Sequence, residues 1–157
     1  MRTFENTRRV AHLAENMFAL VADVERYPEF LPLCKALKLQ HRETIGGKDV
    51  FTTKMTVAYK FIRETFTTRV TLDREAQQIL VEYLDGPFKY LENRWDFRAA
   101  GEGVCDVKFY LAYKFRSRAL QVMMGAVFDR AFSKFAEAFE ARADSVYGED
   151  DRISPSA

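Results

Sequence analysis

From Leu37 to Phe115 the chain repeats one pattern: apolar residues at every second position, cut at short intervals by turn-forming residues. A period of two places successive side chains on opposite faces of a strand. Leu37 and Leu39 begin the pattern, which runs to Ile45, and Gly46-Gly47 marks a hairpin. Phe51, Thr53, Met55, Val57, Tyr59 and Phe61 share one face of a long strand. Phe66, Thr68, Val70 and Leu72 follow, then Ile79, Val81 and Tyr83. Leu91, Asn93, Trp95 and Phe97 come next, and Val107, Phe109, Leu111, Tyr113 and Phe115 end the series. The turns Asp73-Arg74-Glu75, Asp85-Gly86-Pro87 and Gly101-Glu102-Gly103 separate these runs. No gap holds a helical crossover, so the strands are expected to be antiparallel neighbours. The clean alternation predicts a sheet with one face in water.

The flanks change period. Thr3 to Val10 is short and mixed and is expected to be a first strand. Leu13, Met17, Leu20, Val21 and Val24 stand at helical spacing, predicting a helix over Ala14–Val24. Asp23 to Pro28 breaks it, and Pro28 and Pro32 frame a second, short helical turn. After the last strand, Ser117 to Val146 reads as one helix of roughly 30 residues, about 45 Å long. Phe128, Phe132, Phe135 and Phe139 fall within an arc of about 60° on it. Met124, Val127 and Ala131 widen that stripe. Gly148 is expected to end the helix, and 148–157 to be an acidic, disordered tail behind a single domain over 1–147. The class is α+β: a sheet of about six or seven strands and a long C-terminal helix.

Phe supplies 14 of the 157 residues. It carries no polar handle, so this excess points to apolar volume rather than to chemistry. The net charge of +1 argues against a general attraction to DNA or to an anionic membrane. Cys34 and Cys105 stand far apart, outside any CxxC spacing, and are expected to be reduced thiols. The first residues are polar and charged, and no apolar run approaches the roughly 20 residues of a membrane span. The expected location is the cytoplasm.

Catalytic patterns are missing. His12 and His41 lack partners at defined spacing and are expected to be exposed bystanders. There is no GxSxG, phosphate-binding Gly-rich loop, HExxH or CxxC, and no metal site is expected. Glu92 and Asp96 share the outward face of their strand. The Phe stripe faces strands that are themselves bulky, with Tyr59, Phe61, Phe66, Tyr83, Trp95, Phe109 and Tyr113 read as inward. An aromatic wall with a few OH or NH groups is the usual form of a small-molecule pocket. Asn93 lies between Leu91 and Trp95 on the inward face, where its amide needs a partner, either a neighbouring strand or a ligand oxygen. Phe30-Leu31-Pro32-Leu33 is either a lid or membrane-touching rim, or simple packing. Lys54, Lys60, Arg63, Arg69, Lys108, Lys114, Arg116 and Arg118 could form a basic interaction face.

The element order resembles the helix-grip, or START-like, architecture of the polyketide cyclase-like SRPBCC proteins. The segments Tyr27-Pro28-Glu29-Phe30-Leu31-Pro32-Leu33-Cys34 and Gly86-Pro87-Phe88-Lys89-Tyr90-Leu91-Glu92-Asn93-Arg94-Trp95-Asp96-Phe97 are similar to the coenzyme Q-binding START-domain family. Val127-Phe128-Asp129-Arg130-Ala131-Phe132 matches as well. The resemblance implies non-catalytic binding of ubiquinone or a similar polyprenyl lipid in a tunnel between sheet and helix, in support of respiratory electron transport. Ubiquinone would be a bound ligand, and no catalytic cofactor is implied. Together with the inward faces, it points to Tyr27, Phe30, Leu31, Tyr59, Phe66, Tyr83, Phe88, Leu91, Asn93, Trp95, Met124, Val127, Phe128 and Phe132 as ligand-binding residues. Phe128 is expected to matter more than Phe139. Similar bacterial sequences are toxins that block ribosomal subunit association, so a ribosomal subunit is an alternative partner. A cyclase using the same pocket is a third reading. A bacterial, cytoplasmic protein with transient, peripheral inner-membrane contact is expected.

Overall fold

The computed structural model describes residues 1–148. The acidic tail expected over 148–157 lies, from 149 onward, outside the described residues. Seven strands form one antiparallel sheet: β1 (Arg2–Val10), β2 (Cys34–Ile45), β3 (Lys48–Tyr59), β4 (Ile62–Asp73), β5 (Gln78–Asp85), β6 (Phe88–Gly101) and β7 (Val104–Phe115). Their order is β1-β7-β6-β5-β4-β3-β2. Strands β2 to β7 are a meander, and β1 pairs with β7 from Arg2↔Tyr113 to Val10↔Cys105. The connection from β1 to β2 therefore crosses the whole sheet. It carries α1 (Ala14–Ala22) and a 3₁₀ turn, Val24–Glu29. Register shifts at Cys34/Ala36, Gln40/Glu43, Thr67/Thr68, Phe88/Tyr90 and Ala99/Gly101 mark bulges, which add twist and bend the strands. The result is the curved sheet of the helix-grip fold.

The inward faces follow the alternation closely. Phe51, Thr53, Met55 and Val57 are buried, as are Phe66, Thr68, Val70 and Leu72. Leu91, Trp95 and Phe97 are buried too, opposite Tyr113, Phe109 and Val107 of β7. The reading fails at one place. Strand β3 ends at Tyr59, Lys60 takes a positive φ of 54°, and Phe61 is 90% exposed at the hairpin tip. No Gly, Asn or Pro signals this turn, so periodicity alone carried the strand two residues too far.

The C-terminal segment is two helices, not one: α2 (Arg118–Phe132) and α3 (Phe135–Val146). Ser117 caps α2, its hydroxyl accepting from the Leu120 amide at 3.2 Å. The break has a local cause. Ser133 donates its hydroxyl to the Arg130 carbonyl at 3.0 Å, and the Lys134 amide bonds the Ala131 carbonyl three residues back. This side-chain and 3₁₀ bonding competes with the helical ladder, and Lys134 sits at φ −104°, ψ 1°.

His12 is not an exposed bystander. It is fully buried, with Nε2 2.7 Å from Asp144 Oδ1 of α3. Arg8 reaches Glu140 at 2.6 Å, and Arg142 reaches Glu29 at 2.5 Å. These ties hold α3 to β1 and to the 3₁₀ turn. His41 is exposed, in a positive-φ conformation (49°) inside the Gln40/Glu43 irregularity.

The β5–β6 turn depends on Gly86. Its φ is +140°, and a Cβ there would stand 2.6 Å from the Phe66 Cβ. Neither position can yield, since both are backbone-anchored. Gly86→Ala is expected to cost about 2–4 kcal/mol in urea denaturation with an unchanged m-value. A cost below about 0.5 kcal/mol would show that the turn is not clamped on Phe66.

Candidate functional site

Between the concave face of the sheet and the α2–α3 joint lies a cavity of about 60 Å³. Met55, Phe66, Val70, Ile79, Val81, Leu91, Trp95 and Leu111 supply its sheet wall, with Leu37 at the β2 side. Val24 and Tyr27 of the 3₁₀ turn close one side. Phe132, Phe135 and Phe139 close the top. The helix break makes this possible, because Phe132 ends α2 and Phe135 begins α3. Rings meet here at van der Waals distance. Phe139 stands 5.0 Å from Trp95, 5.1 Å from Tyr27 and 5.1 Å from Phe30, all edge to face.

Few polar groups reach the cavity. Thr53 and Thr68 face each other across β3 and β4, with hydroxyls 2.7 Å apart and both side chains buried. A pair of hydroxyls has two protons but forms one mutual bond. The second proton has no acceptor among the described residues. Asn93 donates Nδ2 to the Tyr110 carbonyl at 2.9 Å and accepts from Trp95 Nε1 at 2.8 Å. Its amide is thus satisfied by a neighbouring strand and its own. Tyr27 donates its hydroxyl to the Val21 carbonyl. Burial is the main cause that pushes the Tyr27 phenol far above its usual range, followed by nearby Cys34 and Asp23. Tyr27 carries the one titratable side chain among the lining residues. Behind the Tyr27 turn, burial raises the Cys34 thiol from 9.0 to about 11.

The structure brings together Tyr27, Phe66, Leu91, Asn93, Trp95 and Phe132 of the expected ligand-binding residues. Phe30 packs behind them on Phe139, and Leu31 is buried nearby in the core. Phe88, Tyr83 and Phe128 form a second aromatic cluster instead. Phe88 lies 5.0 Å from Phe115, 5.5 Å from Phe128 and 5.7 Å from Tyr83. Met124 is buried in the core and Val127 half-buried, both on α2 outside the cavity lining. Tyr59 lies away from the cavity, 39% exposed beside the hairpin tip, with Lys60 over its ring at 5.3 Å. Of the two residues ranked from the sequence, Phe139 lines the cavity and Phe128 does not. Sequence reasoning missed Thr53 and Thr68 as site residues. Both stood at inward positions of the alternation, and two Thr in register on a buried face were the available signal.

Residues 10–140 match the family model described as polyketide cyclase/dehydrase and lipid transport. The chain belongs to this family. It is 35% identical over 147 residues to the ribosome association toxin RatA of Escherichia coli K12, covering 94% of this chain and 90% of that protein. It is 26% identical over 148 residues to the mitochondrial coenzyme Q-binding protein COQ10 of Dictyostelium discoideum, covering 93% of this chain and 71% of that one. The solution structure of the 18 kDa protein CC1736 from Caulobacter crescentus superimposes with a TM-score of 0.74 at 34% identity, covering 94% of this chain and 99% of that chain. Family membership accounts for the sheet, the crossing connection and the closing helices.

Two measurements check this geometry. Trp95 is the single tryptophan, and Phe139 shields it. Phe139→Ala should red-shift its emission and cost about 3–5 kcal/mol. Phe128→Ala should cost a similar amount and leave the emission in place. Equal shifts would deny Phe139 its shielding role. For Cys34, burial pushes the thiol up to about 11 and makes the thiolate about a hundredfold scarcer near pH 8 than in a free thiol. Iodoacetamide labelling at Cys34, read by peptide mass, should slow by about that factor. The raised value favours the folded state fully below about pH 9, and that advantage is lost as the pH rises to about 11.

Proposed function

We propose that the protein binds an apolar small molecule bearing a hydrogen-bond acceptor, of the polyprenyl quinone class, without turning it over. The observation that carries this reading is the cavity itself, a mostly aromatic and aliphatic chamber in which Tyr27 and Asn93 are already hydrogen-bonded and one hydroxyl proton at Thr53–Thr68 is uncommitted. A quinone carbonyl would accept that proton. A polyprenyl tail gains about 0.8 kcal/mol per buried CH₂, so such walls provide affinity without further polar contacts. The absence of a carboxylate, imidazole or amine among the lining residues supports binding over acid–base catalysis. The coenzyme Q-binding relative supports the same ligand class.

At about 60 Å³ the cavity is far below the roughly 300–1,000 Å³ of sites that hold drug-sized ligands. Loading therefore requires the walls to part. Helix α3 is tied through Glu140, Arg142 and Asp144. Helix α2 has Asp129, which takes a hydrogen bond from Tyr113 and pairs with Arg2 at 3.4 Å. The α2 side, hinged at Ser133–Lys134, is the wall with fewer polar ties.

Similarity to RatA favours a second reading, association with the ribosome. Co-sedimentation with ribosomal subunits tests it directly. For the quinone reading, the double variant Thr53→Val, Thr68→Val replaces both hydroxyls by groups of similar shape. Stability should change by less than about 1 kcal/mol. Affinity for a short-chain ubiquinone, followed by Trp95 quenching, should fall about tenfold. If no quinone or other lipid co-purifies in a solvent extract, and added quinone leaves Trp95 emission unchanged, the quinone reading fails.

A further inference from the structure

We propose that the end of the sheet carrying the β3–β4 hairpin is a docking surface for an anionic lipid bilayer. Strand register defines this end. Thr52 pairs with Arg69, Arg69 with Glu82, Glu82 with Glu92, and Glu92 with Ala112. From that line, β3 runs to Tyr59, β4 back to Ile62, β5 to Asp85, β6 back to Phe88 and β7 to Phe115. The hairpin tip, the β5–β6 turn and the start of α2 therefore lie at one end.

Large apolar side chains are left in solvent at each of these places. Phe61 is 90% exposed at the hairpin tip, Leu84 47% at the end of β5, and Val122 and Met123 80% and 60% on the first turns of α2. Single exposed apolar residues are ordinary on a soluble protein. Here they converge on one end and are interleaved with cations. Lys60 and Arg63 flank Phe61, Lys89 follows the β5–β6 turn, and Lys114, Arg116 and Arg118 lead into α2.

Charge distribution separates this end from the outer sheet face. There, Arg69 pairs with Glu82 at 3.4 Å, Arg98 with Asp96 at 3.2 Å, and Arg94 with Glu92. Among the described residues, Lys60, Arg63, Lys89, Lys114, Arg116 and Arg118 form no ion pair. Arg2, Lys89, Lys114, Arg116 and Arg118 line a cleft of about 670 Å³. The one carboxylate in that cleft, Asp129, is already engaged by Tyr113 and Arg2. Cations in excess of the carboxylates at this end, Glu64 and Asp85, surround protruding apolar side chains and match an anionic headgroup layer over hydrocarbon. Nucleic acid would satisfy the cations and could stack on Phe61, but it offers nothing to Leu84, Val122 and Met123. The low net charge of the whole chain hides this asymmetry.

The proposal rests on the surface and not on the cavity reading. Its test is flotation of the full chain with vesicles of phosphatidylcholine alone and of phosphatidylcholine with phosphatidylglycerol, all free of quinone. The wild-type chain should float with the anionic vesicles at low salt, and much less with the neutral ones. Lys114→Glu with Arg116→Glu should weaken flotation about tenfold. Phe61→Ser should weaken it severalfold while circular dichroism stays unchanged, because the side chain packs against little. The Thr53→Val, Thr68→Val variant should float like wild type, so failure of the cavity reading and failure of this one are distinguishable. Equal recovery with both vesicle types, or unaltered flotation of the surface variants, would overturn the proposal. So would a wild-type chain that ignores vesicles while Lys114→Glu, Arg116→Glu abolishes co-sedimentation with ribosomal subunits.

Discussion

Phe139 is the contact on which the closed form of this molecule depends. Its ring touches Trp95 on the sheet, Tyr27 in the 3₁₀ turn and Phe30 just beyond it. Two parts of the chain that are far apart in sequence, the 3₁₀ turn and β6, meet on one side chain of α3. Edge-to-face packing at such distances adds about 0.5–1.5 kcal/mol per pair beyond area burial. The polar ties of α3 to Arg8, His12 and Glu29 then fix where that ring sits. The crossing connection is held in place by the core packing of Met17, Phe18 and Val21, by Phe139 and by the Arg142–Glu29 pair rather than by strand pairing. The fold closes because the first and last thirds of the chain are joined on this helix.

The cavity is a consequence of interrupting the helix above it. A continuous helix would present its Phe residues as one stripe and fill the concave sheet. Across the break at Ser133–Lys134, Phe132 and Phe135 stay in edge-to-face contact at 5.1 Å and both line the cavity, and Phe139 re-enters the core one turn later. The space left is lined on every side by carbon, apart from the Thr pair, Asn93 and Tyr27. On the proposed reading, a neutral chamber of this kind favours apolar groups over ionised ones.

Much of this was legible in the sequence, for a definite reason. Strands half-buried against a core must alternate, so the inward faces from Phe51 to Phe115 could be read directly. The Phe stripe announced the covering helix. Four features were not legible. The turn at Lys60–Phe61 uses no turn-forming residue, and it moved Tyr59 and Phe61 out of the interior. The break at Ser133 depends on a side-chain bond to Arg130 that helical periodicity does not encode. His12 looked isolated because its partner, Asp144, lies 132 positions away. The division of the aromatic residues between two clusters was hidden as well. Phe128 and Phe139 are equivalent in the helical pattern, and only the bend assigns one to Phe88 and the other to Trp95.

Chain order adds a consequence of the crossing connection and of the closing helices. Strand β1 waits for β7, more than a hundred residues later, before it can pair. Until α2 and α3 are made, the top of the concave face that holds Trp95, Leu91 and Met55 stays uncovered. During synthesis the molecule is therefore an unfinished meander with a long apolar trough, and closure belongs to its last segment. Distant contacts of this kind slow folding, because the loop must close before the contact rewards it. The final helical turns are thus a late-forming part of the core rather than a peripheral extension.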